Sequence, residues 1–203
     1  MHADDPFRVA LLILFALLIP AGVYHRLRAH TGEKIDRWQE GTVILFGLRL
    51  TALFMFVGVF AWLINPAWMA WSSLPIPLWL RWTGVTVTVC GGVVWIWAVH
   101  QLGKNLTDTV VTRQQHFLVT TGPYRWVRHP FYVGLVLLLL GISLATANWF
   151  ILMTGSTLWF AFLLPRTRIE ERKLLERFGD DYRAYTRRVG RFVPRLTPQS
   201  DDA

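Results

Sequence analysis

The sequence predicts an all-α integral membrane protein of about five transmembrane helices, with a C-terminal amphipathic helix and no Rossmann domain. Three observations carry that prediction. Of the 203 residues 53% are hydrophobic, including 11 Trp and 13 Phe. The mean hydropathy is +0.36. Lys and Arg gather in short segments between long apolar runs, so the formal charge of +8 points to anionic headgroups at a bilayer surface and not to nucleic acid.

Phe7 to Tyr24 is almost uninterrupted apolar sequence, broken only by Arg8, and at about 1.5 Å per residue it is long enough to cross a hydrocarbon core of about 30 Å. Asp4 and Asp5 stand where a secretory leader carries basic residues, and no small-residue cleavage pattern follows, so this run reads as a retained helix. Val43 to Ile64 is a second span, with Arg49 snorkelling toward the near face. Pro77 to Leu102 is a third, with Arg81 close enough to one end to snorkel as well. Gly84, Gly91 and Gly92 inside it permit close helix packing. The apolar stretch from Phe131 to Leu164 is too long for one span and holds two short ones, with a tight turn at Asn148.

Orientation follows from the basic residues. His25 to Thr42 contains Arg26, Arg28, Lys34 and Arg37, whereas Asn65 to Ile76 contains no charge, so the first connection is cytoplasmic and the second external. Alternation then places Gln101 to Pro130 and the tail from Arg166 in the cytoplasm, with the N-terminus outside. Three regions result: an N-terminal three-helix membrane region over 1–102, a region over 103–196 made of a polar loop, the 131–164 hairpin and a C-terminal helix, and a polar tail over 197–203. In that C-terminal helix Ile169, Leu174, Leu175, Phe178, Tyr182, Tyr185 and Val189 recur at roughly helical spacing among charges, and Gly179 and Gly190 punctuate it.

Cys90 is the only cysteine, which excludes a disulfide within the chain and a cysteine-based metal site. Two other stretches carry chemistry. His116 to Gly134 packs His, Arg, Tyr, Trp, Gly and Pro into the entry of the fourth span. There Arg125, Arg128 and His129 suit an anion, the helix N-terminus after Pro130 offers N–H groups to it, and Tyr124, Trp126 and Tyr132 suit a purine. An interfacial loop with an aromatic belt has the same composition. The second stretch, from Arg166, sets Glu170 and Glu171 side by side. They suit ribose hydroxyls or a cation, while Thr167 and Glu170 also fit a capping box at a helix start.

The pattern His116-x-Leu118-Val119-Thr120-x-Gly122-x-Tyr124-x-x-x-Arg128-His129-Pro130-x-Tyr132-x-Gly134, followed by Glu170-Glu171, Phe178-Gly179, Tyr182, Tyr185, Val189 and Pro194, closely resembles the isoprenylcysteine carboxyl methyltransferase family and its phospholipid methyltransferase relatives. The likeness covers Leu102 to Pro194, with Gly103 and Asn105 at its start. It implies a membrane methyltransferase that uses S-adenosyl-L-methionine without a Rossmann domain, on a hydrophobic or lipid-like acceptor drawn from the bilayer. By the same resemblance His116, Leu118, Val119, Gly122, Tyr124, Arg128, His129, Tyr132, Gly134 and Glu170 bind the cofactor. Arg166, Glu170 and Glu171 do the chemistry, Arg191 or Arg195 lies near the acceptor, and no metal takes part. Two rivals fit the same composition: a membrane reductase using NADPH, which sterol reductases suggest by a similar C-terminal half, and a non-enzymatic assembly or transport protein.

Overall fold

The computed structural model describes residues 4–29, 42–103 and 117–195. The described residues form helices α1 (Asp5–Ala29), α2 (Thr42–Ile64), α3 (Leu78–Leu102), α4 (Pro130–Thr146), α5 (Trp149–Thr157) and α6 (Leu164–Arg188). A π-helical segment, Leu158–Leu163, joins α5 to α6 without a break. Short 3-10 turns over Pro66–Ser72 and Gly122–Arg125 complete the order. Asp5–Ala29, Phe46–Ile64 and Leu78–Leu102 are long and apolar enough to cross a membrane, and Pro130–Thr146 is a shorter apolar helix. The all-α prediction therefore holds, with three full-length spans and a shorter hairpin where two more were expected.

The hairpin turns at Ala147 and Asn148. Ala147 takes the left-handed conformation, φ 50°, and Asn148 caps α5 by accepting from Ile151 N at 3.1 Å. The Asn148 amide also donates to Ser72 Oγ at 2.8 Å, and Leu74 N donates to Ala147 O at 2.6 Å. The uncharged connection between α2 and α3 is thus pinned to the α4–α5 turn.

Glycine decides how α3 and α4 meet. A Cβ on Gly84 would stand 2.5 Å from Ala145 N, one on Gly91 2.7 Å from Leu138 N, and one on Gly134 2.7 Å from Trp95 N. Gly84 and Gly134 therefore mark the two ends of an antiparallel seam in which backbones touch, the arrangement expected of small residues where lipid supplies no hydrophobic drive for association. Gly92 instead faces Leu18 of α1.

Two arginines read as interruptions or snorkelling residues do something else. Arg8 donates from Nε to Leu63 O at 2.5 Å and from a terminal nitrogen to Ile64 O at 2.7 Å, closing the last carbonyls of α2. Arg81 does not snorkel: it is buried, donates from Nε to Ala145 O at 3.0 Å, pairs with Asp4 at 2.8 Å and lies 3.9 Å over the Phe7 ring. A helix C-terminus presents unpaired carbonyls with partial negative charge. A guanidinium from a neighbouring helix meets that need in both places. Around this knot Phe7, Leu11, Val59, Ala145 and Ile151 form the main apolar core.

Candidate active site

The site lies at the opposite end of the bundle, where α3 ends and α4 begins. Gly122, at φ 61°, starts a 3-10 turn that buries Pro123 and Tyr124. The chain then passes irregularly from Trp126 to His129, and Pro130 occupies the first turn of α4, where its missing N–H is no loss. This short piece is clasped by the segment that follows α6. Arg128 N donates to Gly190 O at 2.8 Å and His129 N to Arg191 O at 3.1 Å, a single parallel bridge. Gly179, at φ 50° and ψ −120°, breaks α6 and returns Tyr182 and Tyr185 to the loop, where the Tyr185 hydroxyl donates to Tyr124 O at 2.6 Å.

On this frame the paired acids and the Arg-His-Pro motif meet. Arg128 donates from Nε to Glu171 Oε1 at 3.0 Å and from Nη1 to Val189 O at 2.6 Å and Thr186 O at 3.3 Å. Its second terminal nitrogen is 2.9 Å from the same Glu171 oxygen. His129 Nε2 is 3.2 Å from Glu171 Oε1, and its Nδ1 is 3.8 Å from Glu170 Oε2. The Tyr132 hydroxyl donates to Glu170 Oε1 at 2.5 Å. Arg166 Nε lies 3.6 Å from Glu170 and Arg191 Nε 3.4 Å from Glu171, while Arg191 Nη2 donates to Thr167 Oγ1 at 2.7 Å.

These contacts fix the charge state. Burial opposes ionisation of Glu171, but the hydrogen bond from His129 and the charge of Arg128 outweigh it and bring its carboxyl down to about 2. Burial, reinforced by Glu170 and Tyr185, pushes the Tyr124 phenol well above its ordinary value. Burial does the same for Tyr182 and Tyr185. At neutral pH the site therefore holds ionised Glu171 among neutral phenols.

The structure brings Tyr124, Arg128, His129, Tyr132, Arg166, Glu170 and Glu171 to one end of the bundle. Leu118 packs against Tyr182, Tyr185 and Val189, and Val119 is half-buried beside it in the chain. Gly122 abuts the Gln101 side chain. Gly134 sits in the α3–α4 seam against Trp95. His116 lies outside the described residues. Three expectations change. Thr167 is no helix cap, because the π segment runs straight into α6; its hydroxyl donates back to Leu164 O at 2.7 Å, and Glu170 turns to Tyr132 instead. The guanidinium of Arg128, expected to meet a ligand anion, is taken up by Glu171 and two backbone carbonyls. Trp126 faces outward under Arg125, 4.2 Å from the ring centroid, against Trp97. Sequence reasoning missed Trp159 and Phe192, which pack on Tyr132 and His129 respectively. Neither residue lies in a motif the sequence singled out.

Residues 82–176 match the model of the isoprenylcysteine carboxyl methyltransferase (ICMT) family. Among curated proteins the chain is similar to human protein-S-isoprenylcysteine O-methyltransferase, at 32% identity over 126 residues covering 61% of this chain and 44% of that protein. It is also similar to methanethiol S-methyltransferase of Mycobacterium tuberculosis, at 28% identity covering 93% of this chain and 80% of that one. The chain spans less than half the length of the human and yeast isoprenylcysteine methyltransferases it matches. Its fold is similar to that of the eukaryotic intramembrane Ras methyltransferase ICMT, with a TM-score of 0.52 at 23% identity, covering 89% of this chain and 66% of that one. The family resemblance read from the sequence is borne out, and the matched stretch contains both the Arg-His-Pro-x-Tyr-x-Gly motif and the acid pair.

Proposed function

We propose that this chain is an integral membrane methyltransferase that takes its methyl group from S-adenosyl-L-methionine and passes it to a hydrophobic or lipid-like acceptor at the cytoplasmic face. The observation that carries the proposal is the joining of the two motif segments: Tyr132 and His129 from one and Glu170 and Glu171 from the other share hydrogen bonds at one end of an apolar bundle. The curated relatives point the same way, since each is named as a methyltransferase.

The residues present fit the cofactor. Its methionyl end carries an ammonium and a carboxylate, its ribose carries hydroxyls, and its sulfonium and adenine suit aromatic faces. Glu170 and Glu171 are partly exposed at 24% and 22%, and suit the hydroxyls and the ammonium. The Tyr182 hydroxyl is buried with no hydrogen bond of proper geometry among the described residues, and it feels both Glu171 and Arg128. Bound there, the cofactor supplies an activated methyl group whose transfer needs in-line placement more than acid or base.

This chain's own residues do the placing. Arg128 holds the segment after α6 against the loop, Tyr132 and His129 orient the acids, and α4 and the π segment bound the site toward the bilayer. An apolar cleft of about 100 Å³ opens between α4 and α5 beside Trp159, lined by Val136, Leu139, Ser143, Leu152, Gly155 and Trp159, and on this reading the acceptor's apolar part lies along it. An acceptor carboxylate, already ionised at pH 7, is clamped by Arg166 or Arg191. An amine gives its proton to Glu170 or His129. The basic residues at this end, Arg26, Arg28 and Arg125 among them, favour the cytoplasmic leaflet, and α4 with α5 and the π segment supply the two short spans of a five-helix protein.

The test is a calorimetric titration of the purified protein in detergent. S-adenosylhomocysteine is expected to bind and NADPH not to; the reverse ends this reading. His129→Ala and Glu170→Ala are each expected to weaken S-adenosylmethionine by at least about tenfold, the loss of one charge-assisted hydrogen bond, while the protein stays folded. Variants that bind like the parent would place the pocket elsewhere.

A further inference from the structure

Four aromatic rings from three separate stretches of the chain close a circuit beside the acid pair. His129 and Tyr132 have ring centroids 5.6 Å apart, Tyr132 and Trp159 6.3 Å, Trp159 and Phe192 5.6 Å, and Phe192 and His129 5.6 Å. His129 precedes α4, Tyr132 lies in its first turn, Trp159 belongs to the π segment and Phe192 to the stretch after α6. Aromatics of a membrane belt point singly toward headgroups. These four instead pack on one another in edge-on and tilted pairs, and His129 and Tyr132 are 5% and 6% exposed.

Two local features exist to make the circuit. The π segment, Leu158–Leu163, widens the helix by one residue per turn where Trp159 leaves it, and such bulges cluster at functional sites. Phe192 is placed by the backbone bonds that Gly190 and Arg191 accept from Arg128 and His129. Immediately outside the circuit stand the acids: Tyr132 donates its hydroxyl proton to Glu170, and His129 reaches Glu171. A phenol that donates to a carboxylate has a more electron-rich ring, and the acids add a negative field. Both raise the attraction of the ring faces for a cation.

We propose that His129, Tyr132, Trp159 and Phe192 form an aromatic ring that recognises the positive charge of an onium centre, which, on the reading of the site given above, is the sulfonium of the methyl donor. With neighbouring centroids 5.6 to 6.3 Å apart, a cation seated against one of these rings is close to its neighbours as well, within reach of the roughly 6 Å over which an aromatic face holds it. Methyl transfer breaks the carbon–sulfur bond, leaves its electron pair on sulfur as a neutral sulfide, and forms the new bond from a lone pair of the acceptor. The ring therefore grips the reactant and loosens on the product, which favours exchange of spent cofactor for fresh.

The experiment compares S-adenosylmethionine with neutral S-adenosylhomocysteine by calorimetry on the full chain in detergent. Trp159→Leu and Phe192→Leu, which keep apolar bulk but remove the ring, are each expected to weaken the charged ligand roughly five- to tenfold while the neutral one changes by less than about twofold, and Trp159→Phe is expected to keep most of the preference. Phe192 lies outside the membrane helices, so its variant reports even if Trp159→Leu fails to fold. Equal losses for both ligands, or an unchanged ratio, overturn the ring. A parent protein that binds neither ligand overturns the methyl-donor reading instead.

Discussion

At the end of the bundle where α3 begins, Arg81 reaches across to the last turn of α4 and pairs with Asp4. At the other end Arg128 reaches from the entry of α4 to the segment after α6 and pairs with Glu171. Both arginines are buried or nearly so, and both close carbonyls of another element. The ends differ in what surrounds them. At the Arg81 end the Phe7 ring lies under the guanidinium, Asp4 pairs with it, and the polar side chains of Asn148 and Ser72 serve one another and the backbone. Around Arg128 two carboxylates stay partly exposed, with aromatic faces beside them. A buried arginine in a membrane protein is therefore no marker of a ligand site by itself. The marker is a pair of adjacent carboxylates bonded by a phenol and an imidazole, where Arg81 has, among the described residues, Asp4 alone.

That contrast is open to attack in order of expected effect. Gly84→Val drives a side chain into Ala145 N and should part α3 from α4, costing about 4 kcal/mol; thermal unfolding in detergent would register it, and an unshifted midpoint would show that the seam yields. Next comes acid. The Glu171 carboxyl is held at about 2 against an ordinary 4.5, so its contribution is fully present above 4.5 and is lost as pH falls through 2. The loss amounts to roughly 3 kcal/mol. Glu171→Gln should flatten that part of a stability-against-pH curve. Arg81→Leu leaves Ala145 O unsatisfied and Asp4 without its partner, an expected loss of about 2 kcal/mol with cofactor affinity unchanged, because the site is at the far end. Tyr185→Phe removes one hydrogen bond to Tyr124 O and should cost about 1 kcal/mol, the smallest of the four.

Much of this was legible before any coordinates. Length and composition of the apolar runs give helices, because a chain in lipid has to satisfy every backbone group internally. Gly84 and Gly91 were readable as packing residues, since only a missing side chain explains glycine so regularly placed in a span. Asn148 was readable as a turn. The Arg-His-Pro-x-Tyr-x-Gly motif and the acid pair were readable as one site only through family resemblance, since nothing in their spacing says that residues 38 to 43 positions apart will touch.

The sequence by itself determined that this protein is helical, belongs in a bilayer and carries its basic, ring-rich segments at one end, because hydrophobicity and charge act locally along the chain. Tertiary structure alone decided that Arg8 and Arg81 cap other helices, that Arg128 clasps the segment after α6, and that Trp159 and Phe192 join His129 and Tyr132 in one ring. Each of those outcomes depends on which distant atom a side chain reaches, and that distance is set by the packing of α3 on α4, the π segment and the break at Gly179.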